Sequence, residues 1–331
     1  MFNLMRKYLG AFSVSGHEEQ LAKIISEDLK GVADNIKTDP MGNLIVFKKG
    51  KDSSKKLMIA SHMDEIGFIV VNVEENGMIR VANIGGINAV ASCYHVVKFQ
   101  NGTVGVLVVE DGTKAADIAS NKLFVDIGCD TAAKAKRKVN VGDVCALVPE
   151  IKKLSSKRVA AKAHDDRICC VISAYAALKC KNPAYDTYFV FTVQEEVGCR
   201  GAKPSSFGIM PDYSIALDVT PCSAVGNPGH FTVKLGDGAA IKIKDSSVLC
   251  SPKIVDRMTA LAKENKIKYQ YEVLLAGGTD TSQMQIAGSG SFAGCISLPT
   301  RYVHTPVEVI DTDDMKACAD LLIAFIENGA E

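Results

Sequence analysis

Along this chain, short unbroken apolar runs alternate with stretches in which apolar residues recur at every third or fourth position. The run Phe189-Val190-Phe191-Thr192-Val193 is β-branched and aromatic, and reads as a strand buried on both faces. Asn43 to Lys48, Lys56 to Ala60, Tyr213 to Leu217 and Cys295 to Leu298 read as strands as well. Helical spacing puts Leu21, Ile24, Ile25 and Leu29 on one face, so a helix is expected from about Gly16 to Lys30, opened by a capping box of Ser15 and Glu18. Ile168, Val171, Ile172, Tyr175 and Leu178 share a second helical face behind the pair Asp165-Asp166. A third helix is expected over Ser251 to Asn265, with Pro252 in its first turn. The last, about Asp313 to Glu327, is expected to be capped by Thr312 and stopped at Asn328-Gly329. Between Gly67 and Arg158 the rhythm changes to short Val/Ile runs punctuated by Asn76-Gly77, Asn101-Gly102 and Asp111-Gly112, which is hairpin chemistry. The pattern predicts an α/β domain made of residues 1–66 and 159–331, interrupted by a small all-β domain over 67–158.

Composition narrows the function classes. Among 331 residues Lys plus Arg and Asp plus Glu are 38 each, so no global field favours nucleic acid or an anionic membrane. The longest apolar runs, such as Tyr188 to Val193, fall far short of the ~20 residues of a membrane span. Met1 to Phe12 has no secretory pattern, and the eleven scattered cysteines fit reduced thiols of a cytoplasmic protein. No Cys-x-x-Cys pair occurs, which argues against a thiolate zinc site of the usual spacing.

The chemistry shows where the runs end. The strand over 189–193 runs into Glu195-Glu196, and a buried pair of carboxylates needs a cation or a reaction to explain it. Lys56 to Ala60 leads to His62-x-Asp64, whose spacing puts the imidazole and the carboxylate on one side. Tyr213 to Leu217 ends at Asp218, and Cys295 to Leu298 leads to His304. Each is a weak signal alone, since Asp165 and Asp166 could be helix caps and Glu195-Glu196 a solvated loop. Together they converge, because ligands in open α/β sheets bind outside the carboxyl ends of the strands. Two His and three carboxylates suit two zinc-like ions with a shared carboxylate. Two such ions, about 3.5–4 Å apart, can hold a hydroxide and stabilise the oxyanion formed on a carbonyl. One further carboxylate must stay off the metals to carry the proton.

The motifs His62-Met63-Asp64-Glu65-Ile66-Gly67-Phe68, Asp165-Asp166-Arg167, Gln194-Glu195-Glu196-Val197-Gly198, Asp218-Val219-Thr220 and Arg301-Tyr302-Val303-His304-Thr305-Pro306-Val307-Glu308 resemble, in order, those of the glutamyl and deblocking aminopeptidases of metallopeptidase family 42. The resemblance covers nearly the whole chain. It implies a mixed-sheet, phosphorylase/hydrolase-like catalytic domain with two divalent ions per subunit, zinc first and cobalt or manganese as alternatives. Asp165 would bridge the ions, with His62 and Asp218 completing one site and Glu196 and His304 the other. Glu195 would be the general base, Asp64 the carboxylate behind His62, and Gly277-Gly278-Thr279-Asp280 the substrate-side loop. A cis peptide at Asp165-Asp166 is implied too. The substrates implied are short peptides, and the β-barrel-like insert would build dimers that assemble into a tetrahedral dodecamer.

His164 beside the bridging residue departs from the family pattern; it is expected to be structural or to support a ligand from behind, with a third imidazole at the site as the alternative, and His95 in the insert is expected to be structural. Cys199 and Cys222 flank the ligand motifs as small fillers, with oxidation sensitivity as an expectation. Competing readings are another metal-dependent hydrolase, a deacylase or a glycanase, and a non-catalytic assembly protein on the same fold. No ligand or base is missing, which disfavours the last. Serine hydrolysis fails because Ser289-Gly290-Ser291 lacks a nucleophile-elbow pattern.

Overall fold

Four parallel strands form the middle of the larger sheet: Tyr185–Thr192, Asp52–His62, Tyr213–Pro221 and Phe292–Arg301, in that spatial order. The computed structural model describes residues 1–222 and 232–331. Leu57, Met58, Ile59 and Ala60, and likewise Phe189, Val190 and Phe191, are buried in succession, as strands covered on both faces require. Being parallel, all four deliver their carboxyl ends to one edge. Antiparallel strands flank them, Leu44–Lys48 and Asn35–Thr38 on one side, Glu308–Asp311 and Arg158–Ala161 on the other. Ala239–Lys244 and Tyr269–Val273 branch from Phe292–Arg301.

The helix His164–Lys179 packs on Asp52–His62 and Tyr213–Pro221 and is covered in turn by Thr312–Asn328 and Phe2–Leu9. It is apolar nearly all round because it has protein on every side. A cis peptide joins Asp165 to Asp166 in its first turn, where both residues leave helical geometry.

The second body is a closed antiparallel barrel of Gly67–Val73, Ile79–Ile84, Leu123–Asp126, Val104–Val109, Val96–Phe99 and Val144–Leu147. Phe68, Ile79, Val97, Phe99, Leu107 and Val125 fill a core of its own. Its strands end at Leu147. Lys152–Lys153 already pairs with Arg158–Ala161 in the larger sheet, so the end of the expected 67–158 segment lies with the larger body.

Several local expectations shift. The helix expected at Gly16 runs Glu19–Leu29, and its capping box is not formed. Ser15 Oγ instead donates to Asp64, and Glu18 accepts from the backbone N–H groups of Gly16 and Gln194. Tertiary partners outcompete the local cap. The cap of the last helix is Asp311, whose side chain accepts from Asp313 N, while Thr312 is the first helical residue. Asp218 lies inside its strand, which continues to Pro221.

Candidate metal centre

His62 is the last residue of its strand, Glu195 and Glu196 follow Thr192, and His304 follows the turn after Arg301. Asp165 enters from the first turn of the central helix. Tight turns aim these side chains: Ala163, Gln194, Cys199, Tyr302 and His304 all have positive φ, five of the eight such non-glycine residues among those described. Strained backbone concentrated around one point is the mark of a site held by its surroundings.

The two oxygens of Asp165 face different imidazoles. Oδ1 is 3.1 Å from His62 Nε2, and Oδ2 is 3.2 Å from His304 Nε2. Asp218 Oδ1 lies 3.9 Å from His62 Nε2, and Glu196 Oε2 lies 3.2 Å from His304 Nε2. His62, Asp165, Asp166 and Asp218 thus form one group of potential cation ligands, and Asp165, Glu196 and His304 a second, with Asp165 in both. Asp166 joins the first group unforeseen, and its Oδ2 accepts from His62 N at 3.2 Å. Glu195 Oε2 stands 3.8 Å from His62 Nε2.

The electrostatics of this cluster call for added positive charge. Burial raises the carboxyls of Glu195, Glu196, Asp166 and Asp218 above the usual range, and neighbouring acids push them further. For Asp165 burial acts in the same sense, but His304 and His62 hold the group below its ordinary value. Burial opposes the imidazolium of His304, yet Asp165 and Glu196 raise it to about 12. His62 Nε2, Glu196 Oε1 and Asp166 Oδ1 are buried with no hydrogen-bond partner. Orphaned donor atoms among converging acids fit divalent cations, which satisfy lone pairs and cancel the repulsion together.

Comparison with known proteins decides the family. The sequence model of the M42 glutamyl aminopeptidases matches residues 42–321. The chain belongs to this family. A protein of Acetivibrio thermocellus is 41 % identical over 327 residues, 98 % of either chain. An aminopeptidase from the archaeon Desulfurococcus kamchatkensis superposes with a TM-score of 0.93 at 35 % identity, over 99 % of this chain and 94 % of that one. The TET1 peptidase of Pyrococcus horikoshii, described as assembling into a tetrahedron or a large octahedral shell, gives a TM-score of 0.88 at 28 % identity, over 98 % of both chains.

In this M42 chain the supporting shell is as ordered as the centre. Asp64 is fully buried, and its carboxylate accepts from Ser15 Oγ at 2.6 Å, Glu195 N at 3.0 Å and Glu196 N at 3.2 Å. Its carboxylate is 3.5 Å from His62 Nδ1, while its own backbone oxygen is nearer at 3.2 Å. Asp64 therefore holds the Glu195–Glu196 backbone as much as it backs the imidazole. Glu308, quoted in a motif but given no role from sequence, accepts from Asp165 N at 3.0 Å and His304 N at 2.9 Å. Glu65 binds Lys162 and, at 2.5 Å, Arg167 Nη2. Arg167 also donates to the backbone oxygens of Tyr8, Leu9 and Ala11, which ties down the first helix.

A cavity of about 640 Å³ opens onto the centre, lined by Gly277, Gly278 and Thr279, while Asp280 lies behind it and accepts from Thr192 Oγ1 at 2.6 Å. The barrel contributes as well: Gly86 reaches the cavity, and a Cβ there would lie 2.9 Å from His304 Nδ1. His164 is buried and outside the cation groups; burial lowers its pKa to about 4, so the ring is neutral. His95 Nδ1 lies 3.1 Å from the backbone oxygen of Cys93, far along the chain from any ligand. All eleven cysteines are free thiols. Burial raises the thiols of Cys199 and Cys222, the latter to about 11, which disfavours the thiolate at both. No helix among the described residues is long and apolar enough to cross a membrane.

Proposed function

We propose that this M42 aminopeptidase removes N-terminal residues from short peptides with two divalent cations per subunit. The observation that carries the reading is the pair of Asp165 oxygens facing His62 on one side and His304 on the other. Asp165 would be shared, His62 and Asp218 completing one cation site and Glu196 and His304 the other. Imidazole and carboxylate suit zinc, with cobalt or manganese as alternatives. When bound, the cations supply Lewis-acid polarisation of the scissile carbonyl and acidify water.

The chain's own residues do the rest. Glu195 is the general base: partly buried, with its carboxyl raised, it takes a proton from the attacking water and passes it to the leaving amine. Asp64 fixes the turn that carries it. Gly277, Gly278 and Thr279 form a wall against which the N-terminal residue rests, with Asp280 bracing that wall from behind. Exposed Val90, Tyr94, Val96, Val104 and Val106 on the barrel support its use in dimer contacts, and the TET1 relative, described as assembling into a tetrahedron or a large octahedral shell, supports a tetrahedral assembly. The free thiols fit a cytoplasmic setting.

The test is metal analysis beside kinetics. Glu195→Gln is expected to keep its metal and lose about 10²–10⁴ in turnover, the usual contribution of a general base. His304→Ala is expected to lower metal occupancy. A Glu195→Gln enzyme that turns over within about tenfold of wild type would remove the base, and full occupancy in His304→Ala would remove that ligand.

A further inference from the structure

Glu195 has a second neighbourhood. Its Oε2 faces His62, but its Oε1 accepts from Cys199 Sγ at 3.1 Å, away from the Asp165 centre. Beyond the thiol is Asp280, only 3 % exposed. Thr192 occupies Asp280 Oδ2, and Oδ1 is buried with no hydrogen-bond partner. One ligand atom from each of Glu195, Cys199 and Asp280 falls within 4.8 Å of the others. Cys199 is half-buried and lines the cavity, which gives an entry path.

We propose that Glu195, Cys199 and Asp280 form a third cation site, selective for a thiophilic divalent ion such as Cd²⁺ or Zn²⁺, whose filling takes Glu195 out of catalysis. The inference rests on Glu195 being the base. Sulfur makes the site softer than the His/carboxylate centre, so it discriminates against Mn²⁺ and Mg²⁺. Thr192 orients Asp280 as an outer partner orients a metal ligand. On binding, the cation displaces the thiol proton, which leaves to solvent, and a cation–thiolate bond replaces the S–H bond. Burial, and after it the acidic Asp280 and Glu195, keep the thiol protonated when alone, and those same acids supply the field that attracts the cation. The result is a brake: excess soft metal inhibits through a position separate from the one it activates.

Cadmium reads this directly, because the Asp165 centre contains no sulfur ligand and Cd²⁺ bound there gives no thiolate charge-transfer absorption. Enzyme loaded with its activating ions is titrated with Cd²⁺ while ultraviolet absorption and peptide hydrolysis are followed together. The wild-type chain is expected to develop the band to one equivalent as hydrolysis falls. Cys199→Ser is expected to show no band and to need far more Cd²⁺ for half-inhibition relative to its own starting rate. Asp280→Asn is expected to keep the band with affinity weakened about tenfold or more. Cys129→Ala, which removes another half-buried thiol, is expected to match wild type. No band in wild type, or a band that survives in Cys199→Ser, overturns the proposal. Hydrolysis without the band means this inference alone fails. The band in a metal-loaded chain that hydrolyses no peptide means the proposed function fails while the cation site stands.

Discussion

Truncating Glu65 to alanine would leave Lys162 and Arg167 buried without the carboxylate they share. Breaking a buried pair in this way typically costs about 3–5 kcal/mol, since the charge left behind has neither counter-charge nor water. Urea unfolding of Glu65→Ala is expected to show a loss of that size, and a loss below about 1 kcal/mol would mean the ion pairs hold nothing together. The residues that were legible in sequence were those closing an apolar run. His62, Glu195, Glu196, Asp218 and His304 each interrupt or end a strand signal, and the structure places them within reach of Asp165 or of one another. Glu18, Glu308 and Asp166 were not legible in these roles, because each has a backbone N–H partner distant in sequence, Gln194 for Glu18, Asp165 for Glu308 and His62 for Asp166. Glu308 did leave a trace: a carboxylate opening the buried strand Glu308–Asp311 has to be paired.

At the scale of elements, the parallel strands were readable because burial on both faces writes itself as an uninterrupted apolar run. Caps were not, since Ser15 and Glu18 satisfy the capping-box pattern while serving Asp64 and Gln194. The helix Phe2–Leu9 carries no cap signal and is fixed from outside by Arg167. Asp314, in the first turn of Thr312–Asn328, accepts from Gly236 N and Gly238 N, and burial raises its pKa to about 6. A carboxyl raised above its unfolded value of about 3.9 stabilises the fold fully below that value and loses the contribution as pH rises through 6. Asp314→Asn lacks this titration, so its stability relative to wild type is expected to improve by roughly 2 kcal/mol between pH 4 and pH 7.5. Urea midpoints at both pH values measure it, and a constant difference would show that Asp314 does not titrate there. The loop after Ile79–Ile84 gives another test, because Gly86→Ala presses a methyl on the His304 ring. Lower metal occupancy with the global fold intact is expected, and unchanged occupancy would show that the ring can yield.

For the whole molecule, the concentration of acids around Asp165 makes cation binding part of folding stability. Chelation is expected to lower the unfolding temperature, and adding metal back at about 100 times its dissociation constant should restore about 2.7 kcal/mol per site. Scanning calorimetry with and without chelator measures this; an unchanged transition would show that the acids relax without help. The two-body plan was visible in sequence as a change of rhythm near Gly67. Its far boundary was blurred, because Lys152–Lys153 and Arg158–Ala161 are short strands like those before them but extend the larger sheet. Gly86 gives the barrel a fingertip on an imidazole of the catalytic body, with clearance for a hydrogen and no more. A tilt of the insert toward the larger body would therefore meet the His304 ring at this point. A neighbour that pressed the insert in that direction would press on the imidazole too, and the chemistry would then answer to the company the protein keeps.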